Sequence, residues 1–405
     1  MKKALFTLIM VLLTVVTVAV IAEVAFRVRD LFDRNVGLKN SMGHADKKYS
    51  HVFNPNSQFR NISSRRGEYD VNIHINNYGF RGGDIEFNKE PGTTRIMAVG
   101  DSFTFGVGSN DNETIPALVE QDLRDENVSA EVINAGFGNY SPLLNYLRLR
   151  DEYLEFKPDL VLLFFDFSDL ADVWRGERSL IYDKAGNILR CDPSYVNGRY
   201  DWWLAMRSHS RLCSYIHNKL IRTIEKIRIL GLAEYIKAKL AGKRAKALIV
   251  AKENDYFKTR DPVEYDGYLM IRGRDRLPYI EKHFERVKVY LGKIKELLDE
   301  RNIPMILVIY PYGIHVGPDQ WGEGRVYWGF EKGRVYDDYY AFDMLEKYAR
   351  DNDIPSINLL PVFLKNKEKK LFFDVDGHFT PEANHIAART IAADKEFRRI
   401  INKID

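Results

Sequence analysis

The chain has 405 residues, 45% hydrophobic and 29% charged, which is ordinary globular usage, argues against general disorder and leaves room for more than one domain. Lys and Arg number 60 against 57 Asp and Glu, a formal charge of +3, so there is no overall signature of nucleic-acid binding. The two cysteines, Cys191 and Cys213, exclude a disulfide framework and a CxxC zinc site, and leave either one bridge or two free thiols.

At the amino terminus, Lys2 and Lys3 precede an apolar run from Ala4 to Ala22 that continues through Phe26 and is closed by Arg27 and Arg29. The run exceeds the core of a signal peptide and suffices for one membrane span. Val20-Ile21-Ala22 is a tolerable substitute for an A-x-A cleavage site, so an uncleaved anchor is the main reading and a cleaved signal the alternative. The rest of the chain is expected outside the cytoplasm, on the periplasmic or extracellular face. Residues 30–68 are polar and Asn-rich and read as a stalk, with the folded domain over 69–405.

Residues 69–76 alternate apolar and polar, a half-buried strand, and 77–83 carry turn chemistry. Short continuous apolar runs follow at 95–99, 130–134, 159–165 and 304–310, with a weaker one at 354–359. Such runs suit strands covered on both faces. Ile280, Phe284, Val287, Leu291, Ile294 and Leu298 share one face of a helix. This alternation predicts a parallel sheet with helices on both sides and a site at the carboxyl ends of the strands. Between the third and fourth strands, about 174–279 reads as an insertion. Residues 207–246 hold eleven Lys and Arg against Glu225 and Glu234, and Leu212, Ile216, Leu220, Ile224 and Ile227 give an amphipathic helical pattern. It is either a solvated helix packed on the domain or a surface for anionic headgroups or an acidic polymer.

Gly100-Asp101-Ser102-Phe103-Thr104-Phe105-Gly106 directly follows the strand at 95–99. A serine there, flanked by glycines, can present its hydroxyl in a cleft. Thr104 departs from the G-x-S-x-G elbow, and no G-K-[ST] follows. Alone, the motif suits a strand-to-helix cap equally well. Near the other end, Thr380 is a good N-cap, Pro381 a good first helical residue and Glu382 suits the positive helix end. Asp376 and His378 therefore lie in a loop leading into the last long helix. Histidine can take a serine's proton, and a carboxylate two residues away can orient the ring. Asp374 is the substitute partner, and His385 on the helix reads as structural. Donors for a developing oxyanion come from the loop at 134–142, through a backbone N–H turned by its glycines, or from the Ser168 hydroxyl after the third strand.

Gly100-Asp101-Ser102-Phe103 together with Asp376-Gly377-His378 resembles the SGNH/GDSL hydrolase superfamily. Ile75-Asn76-Asn77-Tyr78-Gly79-Phe80-Arg81-Gly82 looks like the lead-in of its bacterial, envelope-anchored members. The resemblance spans about 69–391 apart from the insertion. It implies a flavodoxin-like three-layer α/β/α sandwich with a central parallel sheet, preceded here by one transmembrane helix. It further implies Ser102 as nucleophile, His378 as base, Asp376 as orienting acid and Gly138 as oxyanion donor, with Asn139 aligning almost as well and the Ser102 N–H as another donor. Ser168 stands where the family has an asparagine, a shorter group with one donor proton. Hydrolases of the family commonly have D-x-x-H, whereas Val375 stands three before His378. The D-x-H spacing is closer to the polysaccharide O-acetyltransferase members, such as those acting on alginate.

Three functions are expected in order: a serine esterase on acyl esters of a cell-envelope carbohydrate or lipid; an O-acyltransferase on an exported polysaccharide, fed by a membrane acyl-donor partner; a catalytically weak binding module. No cofactor, metal or nucleic acid is expected: H-E-x-x-H, clustered histidines and a nucleotide fingerprint are all lacking from the sequence. The aromatic residues Tyr310, Tyr312, Trp321, Tyr327 and Trp328 either stack on sugar rings or pack beneath a loop.

Overall fold

The computed structural model describes residues 2–32, 43–63, 67–192 and 261–404, with isolated positions between 212 and 227. The chain divides into two units, Met1–Val36 with Tyr195–Tyr265 and Gly37–Ser194 with Asp266–Asp405.

In the first unit, α1 (Lys2–Phe32) runs for 31 residues, with Met10, Leu13, Val16, Ile21 and Val24 among its exposed side chains. Its side chains are described only in part, and among the described residues no helix is long and apolar enough to cross a membrane. Of the amphipathic pattern in the insertion, Leu212, Ile216 and Ile227 are helical, while Leu220 and Ile224 lie outside the described residues.

The second unit opens with short antiparallel strands. β1 (His44–Asp46) pairs with β2 (Ser50–Val52), and β3 (Ser57–Ile62) with β4 (Asp70–Ile75). Three of these strands fall within the stretch read as a stalk. In β3, buried Phe59 and Asn61 alternate with exposed neighbours, and Phe53, Phe59, Val71, Ile73 and Ile75 form one cluster with Phe105. Two phenylalanines in an Asn-rich stretch give no usable period; their burial comes from partners far along the chain.

The centre of this unit is a parallel sheet of β5 (Thr94–Gly100), β6 (Ala130–Gly136), β7 (Leu160–Phe165), β10 (Met305–Ile309) and β11 (Ser356–Asn358), in the order β11-β10-β7-β5-β6. Each coincides with a strand read from sequence to within two residues at either end. β5, β7 and β10 are buried throughout, because helices cover both faces; hence the runs lack alternation. A hairpin of β8 (Leu180–Tyr182) and β9 (Ile188–Cys191) belongs to this unit, so the unit boundary falls inside the stretch read as an insertion.

The helices here are α2 (Ser102–Phe105), α3 (Ile115–Asp125), α4 (Pro142–Asp151), α5 (Asp169–Glu177), α6 (Leu277–Asp299), α7 (Gly313–Val316), α8 (Gly324–Tyr327), α9 (Tyr340–Asp351), α10 (Leu360–Lys365), α11 (Pro381–Ala392) and α12 (Lys395–Ile404). α3 packs on α11, whereas α4, α5 and α6 pack on one another; with right-handed crossovers this gives two helical layers around the sheet. The six positions at 280–298 are all buried on α6, each worth about 1.5–3 kcal/mol of transfer energy. The strand order reverses at β5, which has β6 on one side and β7 on the other. In such sheets the crevice opens at that reversal, outside the carboxyl ends, where Ser102 follows β5.

Candidate active site

Asp101 caps α2, its Oδ1 accepting the Phe103 N–H at 2.9 Å, and Ser102 is the first residue of this four-residue helix. The helix lies tight against the end of β6. A Cβ added at Gly136 would sit 2.3 Å from the Phe105 nitrogen, an approach only glycine permits. Buried Arg81 donates to the carbonyls of Phe105 and Gly106, both at 2.6 Å, and so satisfies the end of a helix too short to do so itself.

On the opposite side of the crevice, Phe372 and Phe379 bridge across a tight loop. Gly377 turns it at φ +89, where a Cβ would lie 2.4 Å from Trp321 Nε1. Thr380 caps α11, accepting from the Ala383 N–H, with Pro381 first in the helix. This loop delivers His378 Nε2 to 2.7 Å from Ser102 Oγ. His378 Nδ1 contacts Asp376 Oδ1. The other Asp376 oxygen, Oδ2, accepts the Tyr69 hydroxyl at 2.9 Å. Glu68 accepts the N–H groups of Val375 at 2.9 Å and Asp376 at 3.0 Å. Burial would raise the Asp376 pKa, but the charge of His378 and hydrogen bonds from His378 and Tyr69 hold it below the ordinary carboxylate value. The pair can thus keep the Nδ1 proton on the ring and leave Nε2 to take the serine proton. Asp374 is turned elsewhere, its Oδ1 accepting from Lys370 at 2.5 Å. His385 is exposed on α11.

Gly138 lies after β6 with open space where a Cβ would point. Its carbonyl accepts from His51 Nε2 at 2.9 Å. Ser168 lies after β7. Its hydroxyl donates to Asp172 Oδ2 at 3.1 Å and its N–H to Asp166 Oδ1 at 2.5 Å. Its hydroxyl is directed at Asp172, and its backbone sits at the start of α5.

Behind the serine lies a carboxylate group that the sequence reading missed. Asp101, Asp166 and Asp169 are 6%, 1% and 2% exposed. The Tyr310 hydroxyl is 2.9 Å from Asp101 Oδ1 and 2.8 Å from Asp166 Oδ2, and the Tyr312 hydroxyl 2.6 Å from Asp166 Oδ1. The Tyr310 hydroxyl thus stands between two carboxyl groups with one proton to donate. Burial first, then the charge of Asp166, push Asp101 well above the ordinary carboxylate value, and Asp169 rises for the same reasons. No short motif links residues 101, 166, 310 and 312; they follow the ends of three different strands, β5, β7 and β10. Of the aromatic residues read as one patch, Tyr310, Tyr312 and Trp321 are buried, and Tyr327 (68%) and Trp328 (50%) are exposed. Cys191 and Cys213 are not joined in a disulfide. Among the described residues, no group of three or more His, Cys, Asp or Glu is arranged to hold a metal ion.

Residues 266–403 match the family model described as SGNH hydrolase-like domain, acetyltransferase AlgX; the stretch includes Asp376 and His378 but not Ser102. No curated protein matches the chain. Among solved structures, it is similar to the acetyl xylan esterase AlAXEase at 15% identity, covering 73% of this chain and 97% of that one, with a TM-score of 0.35. A putative lipolytic protein of the G-D-S-L family from Desulfitobacterium hafniense DCB-2 gives 12% identity over 74% and 98%, TM-score 0.33. A catalytic mutant of Axe2, an acetylxylan esterase from Geobacillus stearothermophilus, gives 14% identity over 76% and 94%, TM-score 0.34.

Proposed function

We propose that the chain is a member of the SGNH hydrolase superfamily, a hydrolase or acyltransferase with similarity to the AlgX acetyltransferase domain over residues 266–403, and that it works on carbohydrate esters through an acyl-serine intermediate. The observation that carries this reading is the contact of Ser102 Oγ with His378 Nε2 at 2.7 Å, backed by Asp376 on Nδ1. In the first half-reaction Ser102 Oγ attacks the acyl carbonyl and His378 Nε2 takes its proton. The oxyanion is met by the Ser102 N–H and by a backbone N–H at residue 138 or 139. Collapse breaks the ester bond, and His378 returns the proton to the leaving oxygen. In the second half, His378 removes a proton from the acceptor hydroxyl, which attacks the acyl-serine, and returns that proton to Ser102 Oγ as the serine leaves.

Hydrolysis and transfer differ only in that acceptor. The match of residues 266–403 to an acetyltransferase domain favours a saccharide hydroxyl; water is the second reading. Acyl transfer outside the cytoplasm would need an acyl donor supplied through the membrane. The apolar run at 4–26 supports an anchor with the domain on the far side of the membrane. Resistance of the full chain to alkaline extraction, lost on deleting residues 1–29, tests this; full extraction of the intact chain would refute it.

The functional test is acetate release from an aryl acetate by the full-length chain in detergent, beside Ser102→Ala, with and without an exported polysaccharide as acceptor. Release that disappears in the variant supports the serine mechanism, and acetylated polysaccharide assigns transfer. Release unchanged in Ser102→Ala would overturn it.

A further inference from the structure

Three side chains reach the site from residues 43–63 and 67–75, ahead of β5. Tyr69 donates to Asp376 Oδ2, the oxygen His378 does not use, at 2.9 Å. Glu68, its neighbour, holds two successive backbone N–H groups of the same loop. His51 in β2 donates from Nε2 to the Gly138 carbonyl at 2.9 Å, and the Tyr140 hydroxyl returns to the His51 carbonyl at 2.7 Å. Burial lowers the His51 pKa, in keeping with a neutral ring whose one N–H faces Gly138. The 138–139 peptide is trans, so a Gly138 carbonyl fixed on His51 fixes the Asn139 N–H in the opposite direction.

The segment is seated firmly enough to act. Phe53 stacks on Phe137 with ring centroids 3.6 Å apart and lies 5.0 Å from Phe105. Tyr69 lies 4.9 Å from Phe373. It therefore packs on the nucleophile helix, the loop after β6 and the loop bearing His378.

We propose that Tyr69 is a positioning residue for the Asp376–His378 pair, and that residues 43–63 and 67–75 are a working part of the site rather than a tether. A carboxylate held through one oxygen can swing about its Cβ–Cγ bond. Tyr69 closes that freedom at the second oxygen, and Glu68 fixes the backbone from which the side chain springs. The effect is on the aim of His378 at Ser102, where small misplacements carry large rate penalties. The inference rests on the acyl-serine reading above.

The test uses the full-length chain. Tyr69→Phe keeps the ring against Phe373 and removes only the hydroxyl. The expected result is a kcat lowered about 10- to 100-fold, with KM within about twofold and an unfolding midpoint lowered by no more than about 2–8 °C, the cost of one hydrogen bond. A residue that only fills space would leave kcat unchanged. The second readout is the low-field proton of His378 Nδ1, followed by NMR with ¹⁵N-labelled histidine and identified by its loss in His378→Gln. It should move in Tyr69→Phe. His51→Phe, which keeps the edge contacts with Phe137 and Tyr140, should lower kcat at constant KM, with partial rescue in His51→Gln.

A Tyr69→Phe chain with wild-type kcat, or a stationary resonance, overturns the proposal. If the wild type releases no acyl group but the resonance moves, the functional reading fails and the positioning role stands. If the wild type is active and Tyr69→Phe equals it in rate, only the positioning role fails.

Discussion

Replacing Ser168 by alanine separates two roles whose magnitudes differ widely. The hydroxyl donates to Asp172 Oδ2 at 3.1 Å and makes no side-chain cap on α5. Burial raises the Asp172 pKa, while Arg175 and the Ser168 hydrogen bond oppose that rise. Removing the hydroxyl should therefore cost the net value of one hydrogen bond to a partly compensated acid, about 1–2 kcal/mol of stability. For a unit of this size that is a fall of about 2–8 °C in Tm. The transition state should hardly change, so kcat should stay within about threefold of wild type. A true oxyanion donor would behave in the opposite way, losing about 10²–10³ in kcat, or about 2.7–4 kcal/mol of transition-state stabilisation, with little change in Tm. Steady-state rates on an aryl acetate and thermal unfolding of the same samples decide it. A hundredfold loss of kcat at unchanged Tm would refute the assignment of this hydroxyl to Asp172.

Further outcomes follow from the same geometry. Asp376→Asn should lower kcat about 10³- to 10⁴-fold, because Asn no longer holds His378 in the tautomer with Nδ1 protonated; circular dichroism should report an unchanged fold, and a rate within tenfold of wild type would discount the pair. Gly377→Ala should lower stability by about 1–2 kcal/mol from its φ of +89 alone, and more from the clash with Trp321, moving His378 off Ser102; urea unfolding and kcat should fall together, and an unaffected kcat would count against the loop's role. The raised pKa of Asp169 has a definite sign. Between the unfolded value of about 3.9 and the raised folded value, the unfolded chain binds fewer protons, so this acid's contribution declines as pH rises. Asp169→Asn should therefore gain stability relative to wild type as pH increases from 4 to 7, by up to about 1.4 kcal/mol per pH unit. A pH-independent difference in urea-derived stabilities would remove the buried-acid argument.

The sequence by itself determined the five sheet strands, because a strand covered on both faces needs a continuous apolar run and little else. It also singled out Ser102, Asp376 and His378 as candidates, and their side chains meet. Strand ends gather on one edge of a parallel sheet, and Thr380-Pro381 marks where the last helix begins. Tertiary structure alone decided what surrounds them. The hydroxyl of Ser168 is equally free in sequence to face the cleft or Asp172; only the position of α5 sends it to Asp172. Tyr310 and Tyr312 carry the same aromatic signal as Tyr327 and Trp328, yet the first two are buried on carboxylates and the others are exposed. Tyr69 and Asp376 stand 307 positions apart with no pattern joining them. Local periodicity records which face of an element is apolar. It holds no record of which distant hydroxyl meets which carboxylate, because those contacts form only when separate elements pack.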